Sequence, residues 1–187
     1  MPSVNINIIR VGIENFTAND HATVNNAIAT MRSIYATVNM EVPVVEFWDI
    51  GVAAANGRDI IDDNGEAEAL TSEWSVPNRS IDVFVVKLYV GPVAGLSPAP
   101  GPCSKDGKGM TGAVVELVGS VTGHGLAHEV GHYLGLAHKD NDSTNLMFPN
   151  IPNGGLLTAG QGNAMRQHCF VTPPYTGGAL TIGQELL

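Results

Sequence analysis

The stretch His128-Glu129-Val130-Gly131-His132-Tyr133-Leu134-Gly135-Leu136-Ala137-His138 decides how this chain is read. His128 and His132 are four residues apart, and a helical turn takes about 3.6 residues, so on a helix both imidazoles lie on one face. Both can then reach one ion. Zinc suits imidazole, and a catalytic zinc site takes three protein ligands and leaves one position open. Glu129 lies between the two, rotated to one side, where it can reach a water on the metal rather than join the ligands. His138 stands six residues beyond His132, where a straight helix would carry it away from the same ion. Gly135 supplies the escape, because glycine readily takes left-handed backbone and ends helices. The chain turns there and brings His138 back from below. A single histidine reads by default as a core or surface residue. Three of the chain's six histidines, a glutamate and a glycine at this spacing outweigh that reading. His21, His124 and His168 keep it, as structural or solvated residues.

Outward from this segment, Gly112–Val118 reads as a strand and a helix starts near Ser120. Residues 91–110 hold four prolines and five glycines and read as an elaborate loop. The apolar run from Ile81 to Val90 predicts a central strand buried on both faces. Residues 3–13 and 44–50 read as further strands. Residues 20–38 repeat apolar side chains at helical spacing (Val24, Ala27, Ile28, Met31, Ile34, Tyr35, Val38), with Asn19 or Asp20 as the cap. A short helix is expected near Ala67–Trp74. Past His138 the chain reads as irregular until a last helix from Thr158 to about His168. Strand, helix, strand, strand predicts an α/β (α+β) sheet with a helix packed on it, in one domain spanning 1–187.

Composition narrows the function classes. Apolar residues make up 44 %, the range of a globular core. No apolar run approaches the about 20 residues a membrane helix needs. Asp and Glu outnumber Lys and Arg 18 to 9, a balance that repels phosphate backbones and argues against nucleic-acid partners. Met1-Pro2-Ser3 leads straight into the alternating Val4-Asn5-Ile6-Asn7-Ile8-Ile9 without a charged leader. The sequence therefore reads as a mature or trimmed form, or one that leaves the cell by another route. Cys103 and Cys169 are too few for a disulfide scaffold and enough for one staple.

HEVGHYLGLAH resembles the extended zinc signature of the metzincin metalloproteases, HExxHxxGxxH. Asn145-Leu146-Met147-Phe148-Pro149 follows, and Met147, nine residues after His138, stands where that family carries a methionine in a tight turn beneath the metal. The stretches Gly95-Leu96 to Cys103 and Thr111-Gly112-Ala113-Val114-Val115 resemble the adamalysin (reprolysin) branch, and GHYLGLAH resembles both adamalysins and matrixins. Lys139 departs from both. Pro149 stands where astacins and serralysins place a tyrosine ligand.

The resemblance implies a twisted mixed sheet with two long helices. It implies an N-terminal subdomain (1–135) carrying the zinc helix and a small, mostly irregular C-terminal subdomain (136–187) that ends in a helix. His128, His132 and His138 would hold zinc, with Glu129 as general base of an endopeptidase. Substrate would lie in the cleft between the subdomains as an extended strand, paired to an edge strand within 93–98. The loop from Phe148 to Leu157 would wall the pocket for the residue after the scissile bond. Calcium is expected near Asp140 and Asp142, where a solvated loop explains the carboxylates equally well. The resemblance also pairs Cys103 with Cys169, as in adamalysins, and that bridge carries the expectation of a secreted enzyme; a monomer is expected. Two rival readings are a zinc-binding interaction domain that no longer cleaves and a zinc hydrolase acting on a non-peptide amide. An intact Glu129 argues against the first.

Overall fold

The computed structural model describes residues 1–107, 109–151 and 154–173. A five-stranded sheet forms its centre. β1 (Asn5–Val11) is flanked by β2 (Val45–Ile50) and β4 (Ser80–Val86), and β4 pairs in turn with β7 (Ala113–Glu116), all in parallel. β6 (Gly95–Leu96) closes the far edge, antiparallel to β7, so the order is β2-β1-β4-β7-β6. The sheet is thus mixed, with helices on both faces. Because strand side chains alternate, Ile6 and Ile8 of β1 join one apolar cluster and Ile9 and Val11 the other. The first cluster lies under α1 (Ala18–Ala36) and α4 (Thr122–Tyr133). The second lies under α3 (Asn64–Glu73).

α1 presents Val24, Ala27, Ile28, Met31, Ile34 and Tyr35 to the core, the spacing expected of it. Its cap differs from the expectation. Thr17 is the N-cap, and Asp20 closes a capping box from the third helical position. The apolar run 81–90 also does not form one strand. β4 stops at Val86, because the Lys87 amide donates to Asp59 O at 2.8 Å and the Lys87 ammonium pairs with Asp20 at 2.6 Å. β5 (Leu88–Tyr89) then pairs with β3 (Ile60–Ile61) in a separate two-stranded sheet. A short α2 (Val52–Ala55) precedes β3.

Past α4 the described chain is mostly irregular up to α5 (Ala159–Met165), which Thr158 and Gln161 open with a second capping box. The part of the expected C-terminal subdomain beyond residue 173 lies outside the described residues. No described helix is long and apolar enough to cross a membrane.

Candidate metal centre

α4 packs against α1 and β7. The Tyr35 hydroxyl of α1 donates to Ala127 O at 2.8 Å, fixing α4 one residue before His128. At its other end α4 stops in a Schellman turn: Leu136 N–H donates to Gly131 O, and Gly135 N–H to His132 O. Gly135 sits at φ 95°, the left-handed region where a side chain would be strained. The chain reverses there, as the glycine predicts.

The reversal brings the three histidines together. Nε2 of His132 lies 3.0 Å from Nε2 of His128 and 3.0 Å from Nε2 of His138; His128 and His138 are 3.3 Å apart. The remaining ring nitrogens explain what this triangle is for. Nδ1 of His128 is 2.8 Å from Leu146 O, and Nδ1 of His132 is 2.7 Å from Leu136 O. A carbonyl oxygen only accepts, so each Nδ1 carries the proton and each Nε2 presents a bare lone pair. Two lone pairs aimed at one point 3.0 Å apart repel unless a cation lies between them. Nitrogens about 2.0–2.1 Å from a tetrahedral zinc would stand about 3.3–3.4 Å from one another, close to the observed triangle. The donor set therefore fits zinc. The carbonyls of Leu146 and Leu136 fix tautomer and ring orientation, as outer partners of metal-bound histidines do.

Burial, then the neighbouring rings, pushes the His128 imidazole down to about 4, and burial lowers His132 too. Both rings stay neutral at pH 7, the form that ligates. Glu129 is 5 % exposed, and burial pushes its carboxyl up to about 8. It does not belong to the cluster of ligating atoms formed by the three histidines. It lines the same cleft, a cavity of about 360 Å³ that also meets Val93 to Ser97, Ala99, Pro149, Asn150 and Ile151.

Beneath the site, Met147 is fully buried. A methyl group at Gly131 would lie 2.9 Å from its sulfur, so α4 and this turn are in direct contact. Met147 O accepts from Lys139 N–H at 2.9 Å, which closes the segment after His138. Asn145, 1 % exposed, holds the turn from inside through Oδ1 to Met147 N–H at 3.0 Å. No spacing or periodicity marks this role of Asn145; its buried position beside Leu146 is visible only once the turn is folded.

The Cys103 and Cys169 sulfurs are bonded to each other, tying the loop before β7 to the segment after α5. His168 lies beside them, with Nε2 donating to Gly101 O at 3.0 Å and Nδ1 accepting from Phe170 N–H at 3.3 Å. His21 contacts Arg10 and Phe16, and His124 packs near Gly155 and Ile34. Asp140 and Asp142 belong to neither cluster of ligating atoms found among the described residues. The Asp142 carboxylate instead accepts from Thr144 N–H and Oγ1 and faces Lys139 at 3.6 Å.

The expected pocket wall is shorter than Phe148–Leu157. Of that span, only Pro149, Asn150 and Ile151 line the cleft among the described residues. Leu156 is 58 % exposed, and Leu157 packs on the core. Leu156 N–H donates to Thr144 O, which pulls that stretch back along the 144–146 segment and away from the cleft. Residues 152 and 153 lie outside the described ones.

No protein-family model matches the chain, and no curated protein matches it in sequence. Solved structures do match in fold. One is the crystal structure of metalloproteinase-II from Bacteroides fragilis, with a TM-score of 0.64 at 15 % identity over 88 % of this chain and 52 % of that one. The chain spans about half the length of that protein, and what the two share is the fold; the cluster of His128, His132 and His138, suited to a metal, is described in this chain.

Proposed function

We propose that this protein is a zinc-dependent endopeptidase of the metzincin type. One observation carries the reading: three Nε2 atoms converge within 3.0–3.3 Å while two of the Nδ1 atoms are committed to carbonyls. His128, His132 and His138 would hold zinc, which when bound would supply a water of lowered pKa, about 7, and a Lewis-acid pull on the scissile carbonyl. Glu129 takes the proton of the attacking water and passes it to the leaving amine. Its burial keeps the carboxylate poorly solvated, and so strongly basic toward a water in the cleft.

The outer edge of β6 supports binding of the substrate backbone as an added strand, since among the described residues β6 pairs with β7 on one side only. Glu129 is the only charged residue other than histidine along the described cleft wall, which favours neutral and apolar side chains over charged ones. The Cys103–Cys169 bridge, with Cys103 exposed, supports an oxidising, extracellular setting. Incubating the zinc-loaded protein with an unfolded protein substrate, with and without a strong zinc chelator, tests the reading. Chelator-sensitive internal cleavage is expected. Intact substrate after incubation with fully zinc-loaded protein overturns it.

A further inference from the structure

Gly95 is in β6, and its backbone is not among the left-handed glycines, so conformational freedom does not explain why the residue is glycine. Space does. A methyl group at Gly95 would lie 2.8 Å from Cγ and 2.9 Å from Oε1 of Glu129, and 2.8 Å from Val114 O. Each distance is well inside van der Waals contact, about 3.5–4.0 Å between carbons. The bare Cα of Gly95 therefore rests against the side chain of Glu129.

Neither partner is free to yield. β6 is held in register by Gly95 opposite Val115 and Leu96 opposite Val114, and Glu116 N–H donates to Ala94 O at 2.9 Å. Glu129 projects from α4, which Tyr35 fixes at Ala127 and the Schellman turn fixes at Gly135. A carboxylate caught between two fixed elements has few rotamers to choose from.

We propose that Gly95 is a positioning residue for Glu129: the bare backbone of β6 limits where the carboxylate can stand, so the strand that receives substrate also aims the general base. The inference rests on the proteolytic reading above, and its test separates the two. Gly95→Ala is compared with wild type, both zinc-loaded, in a peptide-cleavage assay. Misaiming a catalytic group by a fraction of an ångström to an ångström costs about 10–100-fold. The expected result is therefore a kcat lower by that factor, KM within about twofold, and unchanged zinc content. With Co²⁺ in place of zinc, the visible spectrum of Gly95→Ala should differ from wild type, a readout that needs no turnover.

Wild-type kcat in Gly95→Ala overturns the inference. So does a raised KM with kcat intact, which would make Gly95 a strand-register residue only. A wild type that cleaves nothing fails the proteolytic reading instead, and leaves the Co²⁺ spectrum and the following comparison to judge Gly95. In a Glu129→Ala background the crowding atoms Cγ and Oε1 are gone, so Gly95→Ala should lower Tm less there than in wild type. Equal losses in the two backgrounds would assign the crowding to Val114 O and overturn the inference. If Gly95→Ala alone does not fold, the double variant Gly95→Ala/Glu129→Ala should; its failure to fold would equally overturn the inference.

Discussion

The carboxamides of Asn145 and Gln161 exchange two hydrogen bonds, Asn145 Nδ2 to Gln161 Oε1 and Gln161 Nε2 to Asn145 Oδ1, both at 2.9 Å. Asn145 Oδ1 also takes Met147 N–H, and the residue between them, Leu146, offers its carbonyl to Nδ1 of His128. The chain of contacts thus runs from the first turn of α5 to a metal-facing ring.

Gln161→Glu tests this chain with little else disturbed. The carboxylate keeps the oxygen that accepts from Thr158 N–H and Asn145 Nδ2, but sets a second oxygen against Asn145 Oδ1. Asn145 Oδ1 keeps Met147 N–H but loses its second donor and faces an anion, a cost of about 1–3 kcal/mol. A lower Tm and faster transfer of zinc to a chelator are expected, by an amount resembling the about 10–100-fold effect of other outer-partner mutations. Wild-type zinc transfer would show that α5 does not reach the metal site.

Glu129→Ala should retain zinc and lose cleavage, because Glu129 stands outside the cluster of ligating atoms. His138→Ala removes one of three ligands and should lower zinc occupancy under competition with a chelator. Elemental analysis of both variants beside a cleavage assay checks the pair. Full zinc content in His138→Ala would require a different third ligand, and turnover in Glu129→Ala would remove the general base.

The three-histidine cluster was legible in the sequence because it is local. His128 and His132 share a helix face by spacing alone, and Gly135 announces the turn that returns His138. The parts that were not legible depend on distant partners. Asn145 and Gln161 are 16 residues apart with no periodic signal linking them. Gly95 falls within the expected edge strand 93–98, but its approach to Glu129 shows only once β6 is laid beside α4. The run Ile81–Val90 looks continuous, yet Lys87 is drawn out of it by Asp20 and Asp59, residues 67 and 28 positions earlier, one in the first turn of α1 and the other in the turn before β3. The pocket wall differs for the same reason: Leu156 is pulled away by a backbone bond to Thr144, which no side-chain pattern reveals.

Asp20 gives a pH dependence of stability whose sign follows from its partners. Burial raises its pKa, but the Lys87 ammonium and the amide and hydroxyl of Thr17 outweigh burial and hold the carboxyl below its ordinary range. A group depressed in the folded state stabilises above its unfolded pKa, about 3.9, and loses that contribution as pH falls through the lower folded value. Asp20→Asn should therefore lower Tm at pH 6, by an amount in keeping with the about 0.2–1 kcal/mol of a partly exposed ion pair. The gap should narrow as pH drops below about 4. A gap that stays constant from pH 6 to pH 3 would contradict the role of the charge.

The Cys103–Cys169 bridge closes a loop of 66 residues that contains β7, α4 and the whole metal site. On the chain-entropy argument, closing a loop of that length stabilises the fold by about 4 kcal/mol. The bridge also has a local task. Between the cleft residue Ala99 and Cys103 runs Gly101, whose N–H donates to Tyr133 O at 2.8 Å and whose Cα lies against the Tyr133 ring. Tyr133 returns its single hydroxyl proton to the same loop, shared between Pro102 O at 2.9 Å and Thr111 O at 3.1 Å. Tyr133 and the cystine thus fasten one loop from two sides, and that loop carries the cleft wall at Ser97 and Ala99. Removing the bridge by Cys103→Ser/Cys169→Ser should lower Tm markedly while the three histidines still bind zinc, because the Tyr133 bonds keep the loop near α4. Tyr133→Phe should cost less, about 1–3 kcal/mol for carbonyls left without a donor. Combining the two should lower Tm by more than the sum of the separate losses, since each fastening covers for the other. Thermal melts of the bridge variant, Tyr133→Phe and their combination, with zinc content measured in each, decide it. Simple additivity would mean the two fastenings hold separate parts of the loop, and a bridge variant that melts like wild type would remove the cystine from the account of stability altogether.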